Sequence, residues 1–310
     1  MAVLVFHELK DIAARTGSTS VAIGNFDGVH LGHQALISAM LQKAHAEKLC
    51  PTVLTFYPHP VEVLKPHKKL ERLTTTSEKL ELLEKLGVEQ VFVARFDEAL
   101  SHLSPEDFFQ SYLNEGLRAK SLHVGFNFVF GKDRAGDIGT LRSLSEQKGI
   151  FLKVEDQVNF EGERVSSSGI RKLIVEGNVA KAARHLGRPY TITGQVVRGD
   201  QRGRKIGFPT ANLRCPLDKV VPANGVYVTR VLWQQEELRA VTNVGVRPTF
   251  TVGEKAPVIE VHILDFDSDI YEEFLSVEFL GRIREEKKFS GMDELKSQIA
   301  QDIAVARRSF

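Results

Sequence analysis

Gly24-Asn25-Phe26-Asp27-Gly28-Val29-His30-Leu31-Gly32-His33-Gln34-Ala35-Leu36 joins a short apolar run at 20–25 to a segment with helical periodicity, and this junction decides the fold class. The apolar run has the length of a strand, whereas 32–48 carries Leu36, Met40 and Leu41 on one helix face. Strand, glycine-rich turn and helix in this order form the repeating unit of a parallel sheet with crossover helices. The alternation continues with strand candidates at 52–56, 90–95, 120–125 and 150–155. Between them, Thr75 and Glu78 are spaced as a capping box ahead of Leu82, Leu83 and Leu86, and Gly87 supplies the stop. Ser104-Pro105 starts another helical segment, which Gly116 ends. An α/β domain is therefore expected.

Around 188–193 the pattern changes. Strand-like runs at 192–198, 225–233, 238–244, 258–265 and 275–284 follow one another, separated by Gly, Pro and Asn clusters, and predict a compact β-barrel. From Ser290 onward a capping serine and Leu295, Ile299 and Ile303 at four-residue spacing predict an amphipathic helix packed on that barrel. A chain of 310 residues accommodates two such domains, with a boundary expected at 187, giving 1–187 and 188–310.

Lys plus Arg number 41 against 40 Asp plus Glu, so the charge balance predicts no nucleic-acid or anionic-membrane partner and favours small molecules. The apolar run at 2–6 is too short for a signal-peptide core, and no stretch approaches a membrane span, which predicts a cytoplasmic protein. Cys50 and Cys215 lie far apart in the sequence and fit neither a disulfide framework nor a metal-ligand spacing; both read as reduced bystanders.

Two clusters carry candidate chemistry. In the first, the glycines of 24–32 free backbone N–H groups for phosphate, and His30 and His33 can both point into the strand–helix junction, where imidazoles stabilise charge on a nucleotide. A bare pair of histidines at this spacing reads as a capped helix with a solvated ring; the preceding strand, the glycines and Asp27 favour the functional reading, and a zinc site ranks last for want of a partner ligand. Ser166-Ser167-Ser168-Gly169-Ile170-Arg171 offers hydroxyls and N–H groups at a helix start, with Arg171 able to hold pyrophosphate oxygens. Asn127 and Arg134 lie in a loop after strand 120–125, on the edge where open α/β sheets bind ligands. Phe126, Phe128 and Phe130 alternate and read equally as core or as a stacking surface.

The second cluster is Val196–Leu213, VVRGDQRGRKIGFPTANL. Its glycines, Gly203 among them, permit close backbone approach, and Arg202, Arg204 and Lys205 can face phosphates. Thr210 and Asn212, two residues apart behind Pro209, project to one side if extended and offer oxygen ligands that suit magnesium. Further on, Glu260 interrupts the apolar strand VIEVHIL; a buried acid is costly unless paired or used, so it is a functional candidate, while His262 reads as structural.

In the form GNFDGVHLGH, the first cluster resembles the nucleotidyltransferase signature of bacterial bifunctional riboflavin kinase/FAD synthetases. TFYPHP at 55–60, FNFVFGKDRAGD at 126–137 and SSSGIR at 166–171 are similar to later motifs of that family. In the second half, PTAN, NVGVRPTF at 243–250 and EVHILDF at 260–266 resemble its riboflavin kinase domain. Ser168 stands where the family usually has threonine, and Glu272 where it usually has glycine.

The resemblance implies a Rossmann-like nucleotidyltransferase domain followed by a six-stranded-type β-barrel with a terminal helix. It implies two ATP-dependent steps, riboflavin to FMN and then FMN to FAD with release of pyrophosphate, and Mg²⁺ at both. Carried over to this sequence, adenylyl transfer uses Gly24, Asp27, His30, His33, Asn127, Arg134, Ser167, Ser168 and Arg171. Phosphorylation uses the metal ligands Thr210 and Asn212 and Glu260 as base, and the basic glycine loop adds Gly203 and Lys205 as phosphate-binding candidates. The expected partners are riboflavin, FMN and ATP, and the expected state is a monomer or weak homo-oligomer. Three rivals stay open: an enzyme with one live activity, a flavin- or nucleotide-binding regulator, and a nucleotidyltransferase for another acceptor.

Overall fold

The computed structural model describes residues 3–15, 17–67, 70–199, 203, 206–248 and 255–310. They pack as two compact units, Met1–Ser167 and Ser168–Phe310.

In the first unit six strands form one parallel sheet: β1 (Leu4–Phe6), β2 (Thr19–Ile23), β3 (Cys50–Tyr57), β4 (Gln90–Arg95), β5 (Ala119–Gly125) and β6 (Phe151–Glu155), in the order β1-β4-β3-β2-β5-β6. Every residue of β2 is buried, as expected of a strand covered on both faces. Val21 and Ile23 enter one apolar cluster with Phe109, Leu113 and Leu122, while Ala22 enters the other with Ile37, Met40 and Leu83. The alternation follows from the two-residue period of the strand. Crossover helices Leu31–Glu47, Thr76–Lys85 and Ile138–Gln147 lie between β2 and β3, β3 and β4, and β5 and β6.

From β2 the chain steps through β3 to β4 on one side, then returns to lay β5 on the other side of β2. The carboxyl ends of β2 and β5 thus flank a topological switch point, where the diverging loops open a crevice. Both glycine-rich motifs of this half leave the sheet there. Thr75 caps its helix through a capping box with Glu78, Ser104 caps the helix beginning at Pro105, and Gly87 adopts a φ of 92°, as the sequence predicts. The three-residue β1 and the hairpin of β7 (Asn159–Phe160) with β8 (Glu163–Arg164) were not expected.

The second unit opens with the helical segments of Ser167–Val175 and Val179–Leu186 and continues into a closed antiparallel barrel. Its strands are β9 (Tyr190–Val197), β10 (Ala211–Arg214), β11 (Gly225–Trp233), β12 (Glu236–Pro248), β13 (Lys255–Ile263) and β14 (Phe274–Glu285), in the ring order β10-β13-β12-β11-β14-β9. Ile192, Val196, Val231, Val244, Ile259, Val261, Leu275, Val277 and Phe279 are buried and alternate along their strands as the interior set. Val226, Val228 and Val241 point outward, where Ile303 and Ala306 of the helix Met292–Arg308 cover them. That helix begins one residue later than a serine cap would have it: Gly291 is the cap position, and Ser290 instead donates through its N–H and hydroxyl to Glu294.

Candidate functional site

The turn after β2 is held in an unusual backbone state. Phe26, Gly28 and Val29 have φ values of 51°, 84° and 41°, and a left-handed β-branched residue is strained unless its surroundings impose it. Phe26 and Val29 are buried in the cluster beneath the turn, which supplies that constraint. At Gly24 an added Cβ would stand 3.3 Å from the Phe26 ring, so close packing asks for glycine there.

His30 is the N-cap of Leu31–Glu47, and its Nδ1 accepts the His33 backbone N–H at 3.3 Å. The proton of His30 in this arrangement therefore sits on Nε2. The His33 ring stacks on His30 with centroids 3.6 Å apart and takes the edge of Phe26 at 5.2 Å. Burial, then the neighbouring His30 and Lys79, push the His33 imidazole well below the ordinary histidine range. His33 is thus neutral near pH 7, so what it can offer at the positive end of this helix of 17 residues is an N–H and not an imidazolium. His33 Nδ1 and Asn25 Oδ1 are buried here without a hydrogen-bond partner among the described residues.

Asp27 turns its carboxylate away from this role. Oδ1 and Oδ2 accept the Leu73 N–H at 2.9 and 3.2 Å, and Oδ1 also accepts the Thr74 N–H at 3.1 Å. The Asp27 carbonyl accepts the Ser167 hydroxyl at 2.9 Å. Asp27 and Ser167 accordingly shape the turn through these contacts.

The sequence reading missed Lys79. It lies on the same stripe as Leu82, Leu83 and Leu86, at i, i+3, i+4 and i+7, and a lysine in an apolar stripe is the signal that could have found it. Its buried ammonium donates to the Asn25 carbonyl at 3.2 Å and to Thr55 Oγ1 at 3.0 Å. With Asn25, Tyr57, His59, Arg72 and Thr74 it lines a pocket beside the turn. TFYPHP contributes to this wall: Arg72 lies 5.3 Å over the Tyr57 ring and pairs with both Glu62 oxygens at 2.7 Å, while His59 caps Pro60–Leu64.

Across the switch point, Asn127 lies two residues past the end of β5 and is exposed; Arg134, also exposed, has a φ of 59° in the turn Lys132–Arg134. The three alternating phenylalanines divide. Phe130 is buried with Phe128 stacked on it at 5.5 Å, so these two are core, whereas Phe126 is 38% exposed beneath the Arg164 guanidinium. Ser168 and Arg171 fall in the second unit, in the first turns of Ser167–Val175, which matches the helix start read from SSSGIR.

In the barrel, register assembles the second site. Glu260 pairs with Asn212 of β10 on one side and Asn243 of β12 on the other, and cross-strand partners share a face. This face points outward, because the interior face of β13 belongs to Ile259, Val261 and Ile263. Glu260 is therefore partly exposed on the barrel's outer face, not buried in its core as the apolar strand suggested.

Gly199 and Gly203 make close packing around PTAN possible. A Cβ at Gly199 would overlap the Asn212 amide, and one at Gly203 would overlap the Phe208 carbonyl and come within 3.4 Å of Thr210 Oγ1. His262 Nδ1 bonds the Pro209 carbonyl at 2.7 Å; since a carbonyl only accepts, Nδ1 carries the proton, and the structural reading of His262 becomes an anchor for PTAN. Arg202, Arg204 and Lys205 lie outside the described residues, as does part of NVGVRPTF. Cys50 and Cys215 are free thiols.

Comparison with known proteins follows the same division. Residues 12–169 match the family model described as FAD synthetase, and residues 186–310 the one described as riboflavin kinase. The chain is 40% identical over 292 residues to the bifunctional riboflavin kinase/FMN adenylyltransferase of Escherichia coli K12, covering 94% of this chain and 92% of that one. The Bacillus subtilis protein of the same name is 38% identical over 306 residues, covering 98% and 95%. A crystal structure described as a macrolide-efflux protein from Streptococcus pneumoniae is similar with a TM-score of 0.90 and 34% identity, over 99% of both chains.

Proposed function

Because the chain belongs to the bifunctional riboflavin kinase/FMN adenylyltransferase family and makes FMN from riboflavin and FAD from FMN with ATP as co-substrate, we propose a division of labour between 1–187 and 188–310. The first region adenylylates FMN and the second phosphorylates riboflavin. The observation that carries the second assignment is the outward-facing row Asn212–Glu260–Asn243 beside the PTAN segment.

Riboflavin's ribityl hydroxyl is neutral and weakly nucleophilic, so its attack on the γ-phosphorus of ATP benefits from a base to take its proton. Glu260 is that base, with Asn212 and Asn243 flanking its carboxylate. FMN, in contrast, attacks through a phosphate that is already anionic. Adenylyl transfer then needs alignment and charge stabilisation more than a base. His30, neutral His33, the glycine-rich turn at Gly24 and the positive helix end supply these on the α-phosphate side. By the family motifs Asn127, Arg134, Ser168 and Arg171 serve the same reaction, with Asp27 and Ser167 supporting the turn.

Thr210 and Asn212 fit a magnesium site in their donor chemistry, two hard oxygens on a segment that packs tightly against Gly199 and Gly203. Among the described residues no group of three or more His, Cys, Asp or Glu could hold a metal, so the remaining ligands would come from nucleotide phosphates and water. When bound, Mg²⁺ supplies neutralisation of phosphate charge. Gly203 and Lys205 are assigned to phosphate on the motif alone. We infer a cytoplasmic monomer or weak homo-oligomer without nucleic-acid or membrane partners, supported by the near balance of charge. Among the described residues no helix is long and apolar enough to cross a membrane.

Reciprocal variants test the division. Glu260→Ala should lower FMN formation by about 10²-fold or more while FAD formation from supplied FMN persists. His33→Ala should lower FAD formation by about 10²-fold and spare the kinase step. Both are read by chromatography of FMN, FAD, ADP and pyrophosphate, and equal loss of both products in either folded variant would refute the assignment.

A further inference from the structure

We propose that Lys79 is a positioning residue for adenylyl transfer, fixing the glycine-rich turn through the Asn25 carbonyl and keeping a positive charge beside the reacting phosphates. The inference rests on assigning that reaction to the first unit.

Three observations converge on it. The ammonium bridges the turn to the end of β3, since it donates to both the Asn25 carbonyl and Thr55 Oγ1, while Thr55 itself donates to the same carbonyl at 3.2 Å. Two of its three N–H bonds are thereby used among the described residues, and Lys79 also lines the adjoining pocket. A structural tie between a carbonyl and a hydroxyl does not need a buried charge, whose desolvation is costly; a site for polyanionic substrates does. The charge also reaches the catalytic histidine, for Lys79 is one cause of the lowered proton affinity of His33.

The groups facing Lys79 set its behaviour. Burial lowers its ammonium to about 8, against the pull of Asp27 from the turn and with the push of Arg72 from the preceding loop. Arg72 is held by Glu62, and His59 lines the same pocket. Free enzyme thus loses the Lys79 charge as pH rises through about 8, and an anionic substrate bound nearby opposes the loss.

The test is the pH profile of FAD formation from FMN and ATP between about pH 7 and pH 9.5, with riboflavin phosphorylation followed in the same preparations. In the wild type, kcat/KM for FAD formation should fall above about pH 8 and the fall in kcat should lie higher. Lys79→Arg, which stays charged, should abolish that alkaline fall even where its rate is lower. Lys79→Met should lose about tenfold or more in kcat/KM near pH 7 and give a flat profile, with phosphorylation unchanged. A flat wild-type profile, a Lys79→Arg enzyme that keeps the fall, or a Lys79→Met enzyme with wild-type rates would each overturn the proposal. A wild-type protein that makes FMN but no FAD would instead remove the first-unit assignment on which it rests.

Discussion

Glu272 occupies a backbone position where its side chain is a liability. Its φ is 69°, and the conformation is fixed by its N–H donating to the Val196 carbonyl and its own carbonyl accepting from Gln195 Nε2. Left-handed backbone costs a side-chain-bearing residue about 1–2 kcal/mol, which gives a physical reason for glycine at the matching place in the resembling family. Glu272→Gly should stabilise the barrel by about 0.5–1 kcal/mol, the relief of strain outweighing the added freedom of the unfolded chain. Urea denaturation reads the gain, and FMN formation should not change. At the same scale, His30 and His33 were legible from their strand–turn–helix context, but the neutrality of His33 was not. It arises from burial and then from the neighbouring His30 and Lys79, which spacing alone does not encode.

Elements were most legible where one period dominated. β4 falls on its expected residues 90–95, and β11 on 225–233, because uninterrupted apolar or alternating runs meet clear turn residues at both ends. β10 went unread: Ala211-Asn212-Leu213-Arg214 is short, lacks β-branched residues and becomes a strand only by pairing with β9 and β13. The same pairing creates the Asn212–Glu260–Asn243 row, so the neighbours of a residue correctly singled out in sequence were hidden until the register was known. The C-terminal helix was expected from its apolar spacing, yet its strongest tie is polar. Arg284 Nε and Nη2 meet Asp302 at 2.8–3.1 Å, and Asp302 is 3% exposed. Asp302→Ala leaves the guanidinium without this partner and should destabilise the barrel by about 3 kcal/mol, measured by urea denaturation followed through Trp233 fluorescence. A loss under about 1 kcal/mol would mean that the apolar contacts of Ile303 and Ala306 hold the helix unaided.

For the molecule as a whole, the compact unit containing the barrel begins earlier than the change in sequence pattern does. Val179, Ala182 and Leu186 are buried on a helix that packs against β14 and β9, although their periodicity matches the helices of the first half. A fragment of residues 168–310 should therefore melt at least about 10 °C above one of residues 188–310, because several buried apolar side chains at about 1.5–3 kcal/mol each are at stake. Equal melting temperatures would show this helix to be dispensable to the barrel. Closure of the ring has a further consequence for synthesis on the ribosome. β9, the first barrel strand made, hydrogen-bonds to β14, the last, so no nascent chain lacking β14 can complete the cylinder, and the inward side chains of β9 must await their neighbours. The parallel sheet ends at Glu155 and has no such dependence. A premature stop before Phe274 therefore spares every strand of that sheet while leaving the unfinished cylinder with two open, adhesive edges.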